Sequence, residues 1–105
     1  MRQYNFYTYI LTNSSKKVLY VGVTNDLERR LFEHYTGNEN KESFTYKYKC
    51  YYLLWFERYQ YVNHAIERGK EIKGWVRSKK VKLIESENPE WLFLNKDIMD
   101  WPPKL

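Results

Sequence analysis

The sequence predicts an α/β domain of the α+β kind, in which a small, mostly antiparallel three-stranded sheet is flanked by helices in the order β-β-α-β-α-α. Three observations predict it: two neighbouring runs of aromatic and β-branched residues near the N-terminus, a third aromatic run near the middle, and helical spacing of apolar residues after it. The length of 105 residues, with 43% hydrophobic and 19% aromatic residues, suits a single core.

The first two strands are predicted over residues 6–12 and 18–24, which are rich in the aromatic and β-branched side chains that strands favour. Residues 13–17 between them are polar and typical of a turn. The two strands are therefore expected to pair as an antiparallel hairpin.

A helix is predicted directly after the hairpin. Asn25 can accept hydrogen bonds from the free N–H groups of a new helix, and Glu28 three residues later completes a capping-box-like pair. The helix should run to about Tyr35 before Gly37 ends it. A polar loop over residues 36–43 is expected to follow.

The second half of the chain predicts one strand and two helices. Residues 50–56 are short and apolar, as expected for a third strand. Asn63 is a candidate cap for the next helix, which extends to Gly74 and has these apolar residues at helical spacing: Val62, Ala65, Ile66 and Ile72. A last helix from near Ser78 would bury Val81, Leu83 or Ile84 on one side.

The chain is expected to divide into a domain over residues 1–87 and a proline-marked tail over residues 88–105. The tail carries several large apolar side chains that are expected to pack back on the domain: Trp91, Leu92, Phe93, Leu94 and Trp101.

Composition narrows the class of partner. The formal charge of +5 and the pI near 9.2 indicate an anionic partner, with nucleic acid the first candidate. The single cysteine, Cys50, cannot form an internal disulfide, and no signal segment or apolar run near the ~18 residues of a membrane span is visible. A cytoplasmic protein that does not bind membranes is expected.

Other kinds of site find little support in the sequence. Cys50 lies in an aromatic strand and is expected to be buried packing, and His64 is expected to be a surface residue at the start of a helix. No His/Cys cluster has zinc spacing, and no glycine-rich phosphate loop occurs, so a nucleotide cofactor is not predicted.

The hairpin and the helix after it bring together groups suited to phosphodiester chemistry. Tyr20 and Gly22 share a face of their strand, so a phenol lies beside a position without a side chain where a phosphate could approach; Tyr9 on the paired strand is a neighbour. Arg30 and His34 are at i and i+4 in the helix. A phenol or a histidine can help to deprotonate water, and an arginine can stabilise charge on a phosphoryl group. Taken singly, each residue is as well explained by packing or by a solvated helix face.

The combination resembles the GIY-YIG nuclease family, in particular its short, single-domain bacterial branch related to the excision-repair nuclease subunit. The resemblance covers residues from about 6 to 84 and rests on Tyr7-Thr8-Tyr9, on Tyr20-Val21-Gly22, on residues 26–31 with the catalytic arginine at Arg30, and on residues 65–75. It implies catalytic roles for Tyr9, Tyr20, Arg30 and His34. It also implies hydrolysis of DNA with one divalent metal, Mg²⁺ or Mn²⁺, in DNA repair.

Position 69 departs from the family pattern, because Gly69 stands where the resemblance places the metal-binding glutamate. Glu67 and Glu71 are each two residues away, and two helical steps turn a side chain by roughly 200°, to the opposite face. Position 69 instead shares its face with Ala65, Ile66 and Ile72, and this side is expected to face the sheet. Three explanations are open: close packing of the helix on the sheet, a natural member that binds without cutting, or an inactivating substitution. Loss of a hard oxygen ligand predicts weak metal binding and greatly reduced cleavage.

A basic surface is expected to bind DNA. From residue 68 to residue 82, seven residues are basic and one is acidic. The candidate substrate-binding residues are Gly22, Arg29, Lys70, Lys73, Arg77, Lys79 and Lys80, whose cations would contact phosphates and make the affinity salt-dependent. A solvated basic face is the alternative.

Base contacts are predicted from a second set of residues. Exposed side chains among Tyr46, Tyr48, Tyr51 and Tyr52 would stack on unpaired bases and suit branched or flapped DNA, whereas the alternative is that this aromatic group is core.

Two functions from different classes therefore follow: an impaired metal-dependent endonuclease, or a nucleic-acid-binding module of the same fold without catalysis. A third, a protein-interaction domain that uses the aromatic tail, would show no salt-dependent affinity for DNA. Whether the chain is an enzyme depends on position 69.

Overall fold

The computed structural model describes residues 4–37 and 42–105. The elements in chain order are β1 (Phe6–Thr12), β2 (Leu19–Thr24), α1 (Leu27–Thr36), α2 (Phe44–Lys47), β3 (Tyr52–Tyr59), α3 (Val62–Lys73), α4 (Arg77–Glu87) and α5 (Asn95–Ile98). The predicted α+β class and three-stranded antiparallel sheet are confirmed. The short helices α2 and α5 were not predicted.

β1 is the central strand of the sheet, which has the order β2-β1-β3. It pairs antiparallel with both neighbours, with Tyr9 opposite Gly22 on one side and opposite Phe56 on the other. A register shift interrupts the pairing with β3 between Ile10 and Leu11. β2 is therefore an edge strand, and its outer edge lies between the helices that cover the two faces.

The two faces of the sheet support separate parts of the core. Tyr9 and Leu11 pack with α1 and with the C-terminal segment, whereas Ile10 packs on the other face with Ile72 of α3 and Ile84 of α4. The buried hydroxyl of Thr8 donates to the carbonyl of Ala65 at 2.8 Å. Because strand side chains alternate between faces, neighbouring residues of β1 fix α1 and α3 on opposite sides of one sheet.

The helix starts differ from those predicted. Asp26, not Asn25, caps α1: its Oδ1 accepts from the N–H of Arg29 at 3.0 Å. Gly37 ends α1 in the left-handed conformation at φ 71, as the sequence predicts. α3 begins after Tyr61 without any side-chain cap, so Asn63 does not have the predicted capping role.

The third strand begins and ends later than predicted. The N–H of Cys50 donates to the carbonyl of Thr45 at 2.8 Å, and Lys49 has a positive φ of 55, so the chain is still turning out of α2 at these residues. β3 therefore spans Tyr52–Tyr59 rather than residues 50–56. Of the predicted loop 36–43, residues 38–41 lie outside the described residues.

The C-terminal tail completes one end of the sheet. The Asn95 side chain is 1% exposed; its Oδ1 accepts from the Leu53 N–H and its Nδ2 donates to the Tyr51 carbonyl, both at 2.8 Å. Leu94 and Trp101 pack on the core. Leu92 differs from the expectation, because it remains 57% exposed. Among the described residues, no helix has the length and apolar character needed to cross a membrane.

Candidate functional site

Tyr9 lies at the centre of the predicted site and is only 1% exposed. Its ring covers Gly22 on the paired strand, so closely that a Cβ at Gly22 would collide with the phenol. The space that a side chain of Gly22 would occupy is therefore filled by Tyr9. Gly22 allows the phenol to cross the hairpin.

His34 links Tyr9 to the segment after α1. The Tyr9 hydroxyl and His34 Nε2 are 3.0 Å apart, and His34 Nδ1 lies 3.0 Å from the hydroxyl of Thr45 in α2. The imidazole is 2% exposed and Thr45 is 3% exposed. Thr45 is a site residue that sequence reasoning missed, because nothing in the spacing of positions 34 and 45 indicates a contact.

The environment of His34 keeps the imidazole uncharged. Burial, and after it the positive charge of Arg30, lowers the pKa of His34 from 6.5 to about 4. At neutral pH the imidazole is uncharged, and its two nitrogens form hydrogen bonds with the buried hydroxyls of Tyr9 and Thr45. Its position suits orienting the Tyr9 phenol rather than meeting water directly.

Tyr20 and Arg30 are the more accessible members of the predicted catalytic set. The Tyr20 ring lies 5.8 Å from the ring of His34 and 6.5 Å from that of Tyr9, centroid to centroid. The Arg30 side chain is 26% exposed and lies 3.6 Å from the carboxylate of Glu33. The structure thus brings the four predicted residues into one region, with two of them below the surface and two at it.

The outer edge of β2 connects α1 to α3. A surface cavity of about 420 Å³ lies there, and its lining includes Val23 of β2, Arg29 and Arg30 of α1, and Val62 and Ile66 of α3. Ile66 is 41% exposed. It therefore faces this cavity and not the core, which corrects the apolar pattern predicted for α3. Two guanidinium groups and an apolar wall meet at this edge.

Gly69 is buried where α3 packs on the sheet. A Cβ at this position would lie 2.8 Å from Cγ2 of Val23 and 3.9 Å from Cγ2 of Thr8. The first distance is shorter than a normal contact, so the glycine allows α3 to approach β2 closely. Of the three explanations for Gly69, close packing thus has direct structural support.

The neighbouring carboxylates do not replace a ligand at position 69. Glu71 pairs with Arg68, and Glu67 lines a different surface, next to β3. Within residues 4–37 and 42–105, no group of three or more His, Cys, Asp or Glu side chains has an arrangement that would hold a metal ion. Gly69 has no side-chain oxygen, and Glu67 and Glu71 lie on another surface, so the ligand that the family pattern places at position 69 is missing here.

The predicted phosphate-binding cations fall into two groups. At 100° per residue, Lys70 and Lys73 lie within about 60° of Ile66 around α3, and both are exposed. Arg29 lines the cavity at the β2 edge, where its Nη2 donates a hydrogen bond to Oδ1 of Asn25 at 3.1 Å.

The cations at the start of α4 have structural contacts. Arg77 donates to the carbonyl oxygens of Lys17 at 2.8 Å and Lys16 at 3.2 Å, which anchors α4 to the hairpin turn. The Lys79 ammonium lies 4.5 Å from the centroid of the Trp75 ring, and Lys80 is half-buried.

The sheet and the site define a nuclease-like domain, and comparison with known proteins identifies it further. The model of the GIY-YIG catalytic domain matches residues 5–82. The chain belongs to the GIY-YIG family. Membership indicates a nucleic acid substrate, and nucleases of this family generally use divalent metals.

Curated relatives and a solved structure agree with this assignment. A UPF0213 protein of Haloquadratum walsbyi is 38% identical over 82 residues, covering 77% of this chain and 90% of that protein. One from Bacillus pumilus is 33% identical over 85 residues, covering 81% and 84%. The solution NMR structure of a UPF0213 protein from Bacillus halodurans has a TM-score of 0.54 at 24% identity, covering 91% of this chain and 97% of that one. This last likeness supports the fold.

Proposed function

We propose that this chain is a DNA-binding GIY-YIG domain whose metal-dependent phosphodiester cleavage is strongly reduced. DNA would lie along the outer edge of β2, between Arg29 and Arg30 on one side and Lys70 and Lys73 on the other. Arg29 and Arg30 line the cavity at this edge, and Lys70 and Lys73 are exposed on α3, whose Val62 and Ile66 line the same cavity, so this surface offers positive charge to a phosphate backbone. The formal charge of +5 supports the same partner.

In this proposal, Arg30 and Tyr20 contact the phosphate. Arg30 is partly exposed at the β2 edge, and a guanidinium can donate two parallel hydrogen bonds to phosphate oxygens. Tyr20, whose ring lies 5.8 Å from that of His34, supplies a hydroxyl. Tyr9 and His34 act from below: their buried hydrogen bond fixes the surface on which Tyr20 packs. In this proposal, binding and orientation of the DNA do not require a metal ligand at position 69.

The close contact between position 69 and Val23 is the observation that carries the reduced cleavage. At this position α3 supplies no carboxylate, and the backbone lies too near β2 for a side chain to enter without movement of Val23. Valine is stiff at χ1, so the adjustment has to involve the rotamer of this residue or a shift of the helix. The loss of the ligand is thus built into the packing of α3 on β2.

A second candidate, an endonuclease with normal activity, is favoured by the intact arrangement of Tyr9, Tyr20, Arg30 and His34. An arginine that faces the phosphate can still stabilise negative charge in the transition state. A different divalent-metal arrangement, completed by the DNA phosphates themselves, would then have to replace the carboxylate at position 69. The two candidates predict different effects of restoring that carboxylate.

The test compares the wild-type chain with Gly69→Glu and with Gly69→Glu combined with Val23→Ala. The second change removes the methyl groups that a side chain at position 69 would meet. Cleavage and binding of linear, flapped and branched DNA are measured with Mg²⁺, with Mn²⁺ and with EDTA. Val23→Ala alone is the packing control, and Arg30→Ala is the control for the phosphate contact.

We expect all chains except Arg30→Ala to bind DNA with similar affinity, and only the double variant to gain metal-dependent cleavage. Equal cleavage by the wild-type chain would favour the second candidate and would overturn the metal-ligand assignment of position 69. Absence of salt-dependent binding in every chain would refute the nucleic acid function altogether.

A further inference from the structure

Three aromatic rings form a continuous surface that begins at the candidate site. Tyr20 stacks on Phe44 with the ring centroids 6.0 Å apart and the planes inclined by 23°. The ring centroids of Phe44 and Tyr48 are 4.7 Å apart, with the planes inclined by 47°. Phe44 is 45% exposed and Tyr48 is 42% exposed. We call these three residues the aromatic platform. Two large rings so exposed and so close together are not explained by the core.

The platform is held in place by α2. Phe44 and Tyr48 are four residues apart, so their rings lie on one side of the helix. The Ser43 side chain accepts from the Tyr46 N–H at the start of α2, and the buried hydroxyl of Thr45 lies 3.0 Å from His34. The inner side of α2 is thereby fixed to the candidate site, while the platform faces outward. Because these side chains are already held in place, stacking of a flat ligand should cost little conformational entropy.

The charge around the platform is positive. The Lys47 ammonium lies 5.5 Å from the centroid of the Tyr48 ring, and Lys49, with its positive φ of 55, is exposed where the chain leaves α2. α2 itself has no acidic residue, and Glu42 lies two residues before it. Exposed rings flanked by lysines match a partner that presents flat faces and regularly spaced negative charges.

We infer that the aromatic platform binds unpaired bases of single-stranded DNA next to the phosphate held at Tyr20 and Arg30. Every base has a π-face, so stacking of this kind is tolerant of sequence, and the lysines would contact the adjoining phosphates. Paired bases in an intact duplex do not offer their faces to such a surface. This inference rests on the proposed function and makes it specific: the preferred substrate is single-stranded, frayed or flapped DNA.

The experiment measures the affinity of the full chain for a fluorescent oligothymidylate and for a blunt duplex over a range of salt concentrations. The variants are Phe44→Ala, Tyr48→Ala and the conservative Tyr48→Trp. Tyr61→Ala is the matched control, because Tyr61 is 56% exposed and follows the far end of β3. A second oligonucleotide carries 2-aminopurine, whose fluorescence falls when the base stacks. Thermal unfolding of each variant shows that it is folded.

We expect each alanine variant to bind the oligothymidylate roughly 5-fold to 100-fold more weakly, with duplex affinity unchanged. Tyr48→Trp should restore binding and Tyr61→Ala should have no effect. The slope of log K against log salt should not change in the ring variants, whereas Lys47→Ala should reduce it by about 0.7. Quenching of 2-aminopurine should require the platform.

Equal loss of duplex and single-strand affinity, or wild-type affinity and quenching in folded Phe44→Ala and Tyr48→Ala, would overturn the inference while leaving DNA binding intact. Absence of binding to either DNA by the wild-type chain would instead refute the proposed function, and the platform would then be a surface for another class of partner.

Discussion

His34 gives the fold a pH dependence whose size follows from the site. Its pKa falls from 6.5 in the unfolded chain to about 4 in the folded protein, because the ring is buried and Arg30 is close. The folded state therefore binds fewer protons between these two values, and the stabilising contribution of neutral His34 is complete above pH 6.5 and is lost as the pH falls toward 4. At 1.36 kcal/mol per pKa unit, the free energy of unfolding should decrease by roughly 3 kcal/mol over this range.

Urea denaturation at a series of pH values measures this change. Carboxylates also titrate in the lower part of the range, so the quantity to compare is the difference between wild-type protein and His34→Gln at each pH. That difference should narrow by roughly 3 kcal/mol between pH 6.5 and 4. His64→Gln is the matched control, because His64 is exposed. A difference for His34→Gln that stays constant with pH would refute the neutral, buried state of the imidazole.

Three further predictions concern packing, the C-terminal tail and charge. Gly22→Ala should lower the free energy of unfolding by about 1–3 kcal/mol, measured in urea, because its Cβ displaces the phenol that covers the hairpin. Asn95→Ala should cost about 1–3 kcal/mol by leaving a buried strand N–H without a partner, whereas Asn63→Ala, which removes no cap, should stay within ~0.5 kcal/mol. Combined alanine substitution of Lys70 and Lys73 should reduce the salt slope of duplex binding by about 1.8, and an unchanged slope would remove both from the interface.

The parts of the fold that sequence predicted well are those encoded by local patterns. The runs over β1 and β2 and the polar turn between them carry the hairpin signal within twenty residues, and Gly37 ends α1 by its own left-handed conformation. Helical geometry alone also predicted that position 69 faces the sheet, away from Glu67 and Glu71. The Tyr20-to-Arg30 segment was recognised because its residues are close in sequence and share one motif.

The features that were missed depend on contacts between distant residues. Thr45 forms a hydrogen bond with His34 only because the chain turns back after α1. Asn95 accepts a hydrogen bond from the N–H of Leu53, which lies 42 residues away in the sequence. Neither contact leaves a periodic signal. Ile66 was expected in the core because it has apolar character, but its exposure depends on where the edge of β2 ends relative to α3. Such positions are decided by tertiary packing, which a single sequence does not show.

If the proposed role of position 69 is right, restoring a metal ligand there depends on two positions, because a side chain at 69 would meet Val23. A carboxylate restored at 69 alone enters a space 2.8 Å from a valine methyl, so its benefit to metal binding is opposed by overpacking that costs about 1–3 kcal/mol. Removal of the valine methyls relieves this cost, and the two substitutions should then be strongly coupled in a double-mutant cycle. Additive effects on stability would mean that the side chains do not meet, and that α3 can move to admit a ligand.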